Sequence, residues 1–118
     1  MKPFALVAVT AVAAVLWATG ALAAPTSNTL TGTVGPGFTI SLNQGGKKVT
    51  KLKAGDYTIK ISDKSDQHDF HLSGPSADKL SSISGTGKST WHVTLKKGAY
   101  TFVCDPHSSF MKGSFTVD

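Results

Sequence analysis

Residues 98–115 read GAYTFVCDPHSSFMKGSF, which is a β-rich run, a turn and the start of a second β-rich run. The turn holds Cys104, the only cysteine of the chain, together with His107 and Met111. A thiolate, an imidazole and a thioether form a soft ligand set, and such a set selects copper. A second imidazole has to come from elsewhere, and His68 is the best placed of the other histidines. The sequence therefore predicts a copper site made of His68, Cys104, His107 and Met111.

The chain on either side of this turn is patterned as strands and turns. Short β-rich runs are separated by clusters of Gly, Pro, Asp and Ser, and no window sustains a helical period. The predicted strands lie at 30–34, 38–42, 49–52, 57–61, 68–72, 90–95, 99–104 and 113–117. The polar segment 76–88 leaves a short helix and a weak strand both open. Seven or eight strands at this spacing favour an all-β sandwich or barrel.

Alternation along two of these strands sorts the remaining histidines. In the run 91–95 the apolar residues share one face, so His92 is predicted to point to the other face and into solvent. In the run 68–72, His68 and Phe70 share a face while His71 points away. A regular strand can thus supply only one of His68 and His71 to a metal, and a bulge would be needed to recruit both.

The N-terminus predicts export. A short positive start precedes an almost wholly apolar run from Phe4 to Leu22, and residues 21–23 read ALA, which is typical of a signal-peptidase site. We predict a signal peptide at 1–23, a single domain at 24–118 and a periplasmic or secreted protein with no stable membrane insertion after cleavage. The apolar run is also long enough for a retained membrane anchor, since a spanning helix needs about 20 residues. An unpaired cysteine outside the cytoplasm would be a free reactive thiol unless a metal occupies it.

Every charged side chain is a lysine or an aspartate, 12 of the former and 7 of the latter. The resulting pI of about 9.5 predicts attraction to an acidic partner. Nucleic acid is not predicted, because arginine is absent and no aromatic residues are interleaved with the lysines. The one lysine cluster, formed by Lys47, Lys48, Lys51 and Lys53, is typical of a solvated face.

Two stretches resemble the cupredoxins, specifically small bacterial plastocyanin/azurin-like blue copper proteins. They are QHDFHLSGP at 67–75 and GAYTFVCDPH at 98–107 continuing through MKGSF at 111–115. The resemblance implies a Greek-key β-sandwich with one type 1 copper ion near one end. By position, Cys104, His107 and Met111 match the family's ligand loop, and His68 matches its upstream ligand histidine. The family carries single electrons, which implies a monomer that meets its redox partners transiently.

The chain departs from the family pattern in two places. The residue after the upstream histidine is usually Asn, whose side chain ties the two ligand loops together, and here it is Asp69. An ionised aspartate cannot donate a hydrogen bond, and Asp105 is predicted to lie nearby. Three residues separate His107 from Met111, where plastocyanins have four, and the length of this loop sets the distance between the metal and the Met111 thioether.

These histidine, cysteine and methionine residues leave three hypotheses open. The first is electron transfer by Cu(II)/Cu(I), for which His107 would offer an imidazole edge beside Pro106 and Phe110. The second is a module that buffers or delivers copper without electron-transfer turnover. The third is a zinc site formed by the four residues His68, His71, Cys104 and His107, which requires His71 to turn inward. An enzyme is not expected, because oxidative copper catalysis generally recruits further histidines.

Overall fold

The computed structural model describes residues 28–118, together with Pro3 and residues 13–15. The predicted signal peptide at 1–23, apart from those four positions, lies outside the described residues and stays a prediction. The described strands are β1 Thr29–Val34, β2 Ile40–Gln44, β3 Lys47–Lys48, β4 Lys51–Leu52, β5 Gly55–Asp63, β6 His71–Gly74, β7 Ala77–Leu80, β8 Gly87–Leu95, β9 Gly98–Val103 and β10 Lys112–Val117. One 3₁₀ helix, Asp105–His107, lies between β9 and β10. Within residues 28–118 and the four isolated positions, no helix is long and apolar enough to cross a membrane.

The strands form two five-stranded sheets. The first has the order β3-β2-β1-β5-β8 and the second has the order β4-β10-β9-β6-β7. Two pairings are parallel, β1 with β5 and β4 with β10, and the others are antiparallel. The chain crosses between the sheets before β4, β5, β6, β8 and β9, so neighbouring strands come from distant parts of the sequence. The predicted all-β Greek-key sandwich is confirmed.

The strand count is ten among the described residues rather than seven or eight. The difference lies mainly in short pieces, because β3 and β4 have two residues each. The open segment 76–88 contains a strand, β7, whose single buried residue is Ala77. The predicted strand at 68–72 begins only at His71, and His68 lies in the loop before it.

Alternating side chains build the core between the sheets. Along β5, Tyr57, Ile59 and Ile61 are buried while the residues between them lie toward solvent, as expected for a strand with one buried face. On the opposite sheet, Gly113 of β10 pairs with Phe102 of β9. The Phe102 ring covers this glycine so closely that an added Cβ would overlap the ring, so the close approach requires a residue without a side chain.

The register places the turns at two opposite ends of the sandwich. At one end, which we call the Cys104 end, β1 finishes opposite the end of β5, and the loops 35–39, 64–70 and 104–111 meet. At the other end, which we call the lysine end, lie β3, β4 and the turn between β8 and β9. The strand register therefore separates the candidate ligands from the lysine cluster.

Candidate metal centre

The loop 104–111 is held in a compact form by its own backbone. Cys104 donates its N–H to the carbonyl of Met111 at 3.0 Å, and Met111 donates to the carbonyl of His107 at 2.9 Å. Pro106 lies at the start of the 3₁₀ helix, where its fixed φ suits a helical turn and its missing N–H leaves no bond unmade. Residues three apart in a 3₁₀ helix lie on the same side. This turn therefore directs Cys104 and His107 toward one point.

His68 reaches that point from the crossover between β5 and β6, and a buried carboxylate shapes this loop. Asp63 accepts the N–H of Ser65 at 3.1 Å and the hydroxyl of Ser81 at 3.2 Å. The Ser81 hydroxyl in turn accepts the N–H of Phe70 at 2.8 Å. These bonds hold both sides of His68, because Ser65 precedes it and Phe70 follows it.

The three candidate donor atoms form a small triangle. Nδ1 of His68 lies 3.1 Å from Nδ1 of His107, and each nitrogen lies 3.6 Å from Sγ of Cys104. The corners of such a triangle all lie about 2.0 Å from one central point, which is close to the length of a metal–imidazole bond. Two imidazoles and one thiolate around a trigonal centre are also the donor set of type 1 copper. Both the spacing and the chemistry of the cluster thus fit a copper ion.

The cluster lies under the surface and opens on one side. Cys104 is fully buried and His68 is 4% exposed, whereas His107 is half-buried. Burial raises the pKa of the Cys104 thiol, so the metal-free protein keeps this sulfur protonated. The side chain of Met111 is also buried, at 1% exposure, and its backbone closes the ligand loop. His107 is therefore the most exposed of the three cluster residues.

Asp69 replaces the usual amide and still joins the two ligand loops. Its Oδ1 accepts the backbone N–H of Asp105 at 2.6 Å, so the tie is made by accepting a bond rather than by donating one. Its other oxygen is buried with no hydrogen-bond partner. Burial, with the nearby Asp105 carboxylate, raises the pKa of Asp69 to about 6. The predicted proximity of Asp69 and Asp105 is therefore observed.

The other two histidines lie outside the cluster. The His71 ring lies between two carboxylates, with Nδ1 3.0 Å from Asp105 and Nε2 2.6 Å from Asp78. The four-ligand zinc site is therefore not assembled, because it needs His71 at the cluster and both ring nitrogens of His71 face carboxylates. His92 lies exposed on the outer face of its sheet, 3.3 Å from the hydroxyl of Thr58, as the alternation predicted.

Phe38 lies at the site, although the sequence predicted it inside the strand at 38–42. Phe38 lies before β2 and is 66% exposed. Its ring centre lies 5.5 Å from that of His68, 5.1 Å from that of His107 and 5.5 Å from that of Phe110. The signal available in the sequence was a large apolar residue, Phe38, within a turn between Gly37 and Thr39. Phe38, His107 and Phe110 form what we call the aromatic patch.

Comparisons with known proteins agree on the fold and the family. The family model described as copper binding proteins of the plastocyanin/azurin family matches residues 39–118. The structure of reduced rusticyanin is similar, with a TM-score of 0.58, 18% sequence identity, and coverage of 81% of this chain and 82% of that chain. The structure of an oxidized amicyanin variant is also similar, with a TM-score of 0.51, 14% identity, and coverage of 78% and 84%. A search of curated protein sequences found no match.

The fold and the cluster define a cupredoxin, an all-β blue copper protein with a single type 1 copper ion as its cofactor. The chain belongs to the plastocyanin/azurin family of copper binding proteins. Its general function is therefore that of a blue copper electron-transfer protein.

Proposed function

We propose that this protein carries single electrons between partners outside the cytoplasm, and that His68, Cys104, His107 and Met111 are the residues that would hold its copper ion. The observation that carries the proposal is the triangle of two Nδ1 atoms and one Sγ at 3.1 and 3.6 Å. Copper, when bound, supplies a one-electron couple. We infer that the protein catalyses no reaction of its own.

The residues of the site serve a rapid and selective transfer. The backbone bonds of the loop 104–111 and the bonds around Asp63 hold the donors in place, so little movement accompanies a change of charge. The buried Cys104 is shielded from water and from other thiols. His107 reaches toward the surface and is the route by which electrons would enter and leave.

The aromatic patch is the proposed contact surface for redox partners. Phe38 and Phe110 are 66% and 58% exposed, and their ring centres lie 5.1 and 5.6 Å from that of His107 and 5.5 Å from each other. Weak electron-transfer encounters bury under about 1,200 Å² of surface, and a small apolar patch around the exit residue suits a contact that forms and breaks quickly. The lysine cluster lies at the other end of the molecule, so it adds no positive charge to the aromatic patch. The preference for an acidic partner therefore stays a prediction.

Spectroscopy of the copper-loaded protein tests the ligand assignment. We expect intense blue absorption and narrow copper hyperfine splitting in the EPR spectrum, both lost in Cys104→Ser. His92→Ala is the matched control, because it removes an imidazole that lies outside the cluster, and it should keep both signals. A pale spectrum that Cys104→Ser leaves unchanged would remove Cys104 from the ligand set.

Electron exchange between two copies tests the role of the aromatic patch. Phe38→Ser should slow self-exchange, measured by NMR line broadening, by about tenfold, the effect of losing one interface aromatic, and should leave the blue spectrum intact. Leu80→Ser is the control, because Leu80 is also exposed, at 54%, and lies on the edge strand β7. Equal slowing in both variants would show that the patch has no special role.

Voltammetry of the copper-loaded protein separates electron transfer from copper buffering or delivery. A carrier gives a fast, reversible voltammetric wave, whereas a delivery module loses copper on reduction. No feature of residues 28–118 favours delivery.

Extracytoplasmic location and cleavage after Ala23 belong to the proposal, and N-terminal sequencing of protein recovered from the periplasm or the medium tests both. Size-exclusion chromatography with light scattering tests the monomeric state.

A further inference from the structure

The charge of the described residues is divided unevenly between the two ends of the sandwich. The lysine end holds six of the eleven lysines of residues 28–118, namely Lys47, Lys48, Lys51, Lys53, Lys96 and Lys97. It holds only two of the seven aspartates, Asp56 and Asp118. Its surplus of four positive side chains equals the surplus of residues 28–118 as a whole, so the rest of the domain is balanced.

Strand register places these six lysines, which come from three turns, at the same end of the sandwich. Lys47 and Lys48 pair with the end of β2, Lys51 pairs with Thr116 near the end of β10, and the remaining lysines lie beside β4 and between β8 and β9. Lys47, Lys48, Lys53 and both lysines of the 95–98 turn are exposed. Lys51 pairs with Asp118 at 3.0 Å, but both side chains are more than half exposed, where such a pair is weak. The lysine end therefore presents a nearly unneutralised positive surface.

The apolar N-terminal sequence joins the domain at this same end. Asn28 accepts the N–H of Thr58 at 2.9 Å, and β1 starts at Thr29 on the side of the sandwich where β3 and β4 lie. Residues 23–27 separate this point from the apolar run at 4–22. Five residues can span at most about 18 Å. Until the proposed cleavage after Ala23, the lysine end is thus the part of the described domain that lies nearest in sequence to the apolar run.

We propose that the lysine end binds the anionic headgroups of a phospholipid membrane and turns the Cys104 end away from it. Exposed lysines near an anionic lipid surface are attracted to it through their summed charge. A six-residue strand such as β9 spans about 20 Å, so a membrane at the lysine end leaves the aromatic patch free. A redox partner attracted to these lysines would instead lie a full strand length from His107.

Vesicle binding of the copper-loaded protein, in the form in which cells produce it, tests the proposal. The probes are vesicles of phosphatidylcholine alone and vesicles with 30% phosphatidylglycerol, compared by co-sedimentation at low and at physiological salt. We expect stronger binding to the anionic vesicles, and we expect added salt to reduce this preference because it screens exposed charges. Any insertion of the apolar run is common to both vesicles, so the difference between them reports the lysines.

Two triple variants with equal charge locate the surface. Lys47→Gln, Lys48→Gln and Lys53→Gln together should weaken the anionic preference about a hundredfold, at about fivefold for each lysine near the membrane. Lys60→Gln, Lys79→Gln and Lys88→Gln together are the control, because they remove the same charge elsewhere and should weaken it less than threefold. Unchanged blue absorption in both variants shows that the fold and the metal centre are intact.

Three results would overturn the proposal. Equal losses in the two triple variants would mean that net charge alone attracts the protein to the vesicles. The absence of any difference between anionic and neutral vesicles would leave an acidic protein as the occupant of the lysine end. Loss of the anionic preference in Phe38→Ser, with the preference kept in the variant lacking Lys47, Lys48 and Lys53, would place the aromatic patch against the membrane. None of these results depends on which residues bind copper.

Discussion

Replacing Asp69 by Asn should stabilise the metal-free protein at neutral pH. In the folded protein this carboxyl is fully buried, and its pKa is raised from 3.8 to about 6 by burial and by the neighbouring Asp105. One of its oxygens accepts a hydrogen bond and the other has no partner. An amide keeps an oxygen for the N–H of Asp105, removes the buried charge, and adds a donor beside the Asp105 carboxylate.

The pKa of Asp69 sets the size and the sign of the effect. Because the folded-state pKa of Asp69 lies above the unfolded-state value, the contribution of Asp69 to wild-type stability falls as the pH rises from about 4 to about 6, and the fall is complete above that range. A shift from 3.8 to about 6 corresponds to about 3 kcal/mol at 1.36 kcal/mol per pKa unit. This is an upper limit for the gain in Asp69→Asn at pH 7. The gain should shrink through pH 6 and vanish near pH 4.

Urea unfolding of the metal-free protein under reducing conditions, followed by tryptophan fluorescence at pH 4, 5, 6 and 7, measures this difference. Asp66→Asn is the matched control, because Asp66 is exposed and surface substitutions change stability by less than about 0.5 kcal/mol. Parallel stability curves for Asp69→Asn and the wild-type across this range would refute the reasoning. A variant less stable than the wild-type at pH 7 would refute it as well.

Three further predictions concern packing, ionisation and metal binding. Gly113→Ala should lower the free energy of unfolding by about 1–3 kcal/mol in urea titrations, because its Cβ would overlap the Phe102 ring; an unchanged midpoint would contradict this close contact. The pKa of His71 is raised above 6.5, mainly by the Asp105 carboxylate, so this pair stabilises the protein below pH 6.5 and the contribution is lost as the pH rises through the raised pKa. His71→Gln should therefore flatten the pH dependence of the melting temperature above pH 6.5, and an unaltered slope would argue against the pair. A thousandfold excess of free copper over its dissociation constant should add about 4 kcal/mol of stability, or at least about 15 °C in melting temperature for a domain of this size, and Cys104→Ser should lose most of this shift.

The strands and the ligand turn were predictable because their determinants are local. Alternating apolar residues define β5 and β8, and the Cys104–Pro106–His107 spacing forms a single 3₁₀ turn whose ends lie on the same side. The exposed position of His92 follows from the same alternation. In each case a few neighbouring residues determine the local geometry, so a single sequence is sufficient.

The loop that carries His68 was predicted less well because distant residues shape it. The bond between Asp63 and Ser81 joins positions 18 apart, and the bond from Asp105 to Asp69 joins positions 36 apart. An aspartate or a serine does not by itself indicate a distant hydrogen-bond partner, since both residue types are common in exposed turns. The sequence therefore predicted a regular strand at 68–72, whereas strand pairing begins only at His71.

The position of His68 also connects metal binding with folding. Cys104 and His107 lie in one turn of the second sheet and can approach each other without the rest of the domain. His68 lies three residues before β6, and its Nδ1 meets the other two donors when β6 pairs with β9, where His71 lies opposite Val103. The third donor therefore depends on pairing between distant parts of the chain. Because this three-donor site requires the folded state, copper binding and folding stabilise each other, and a substitution that removes the Asp63 bonds to Ser65 and Ser81 should weaken copper binding without touching a ligand.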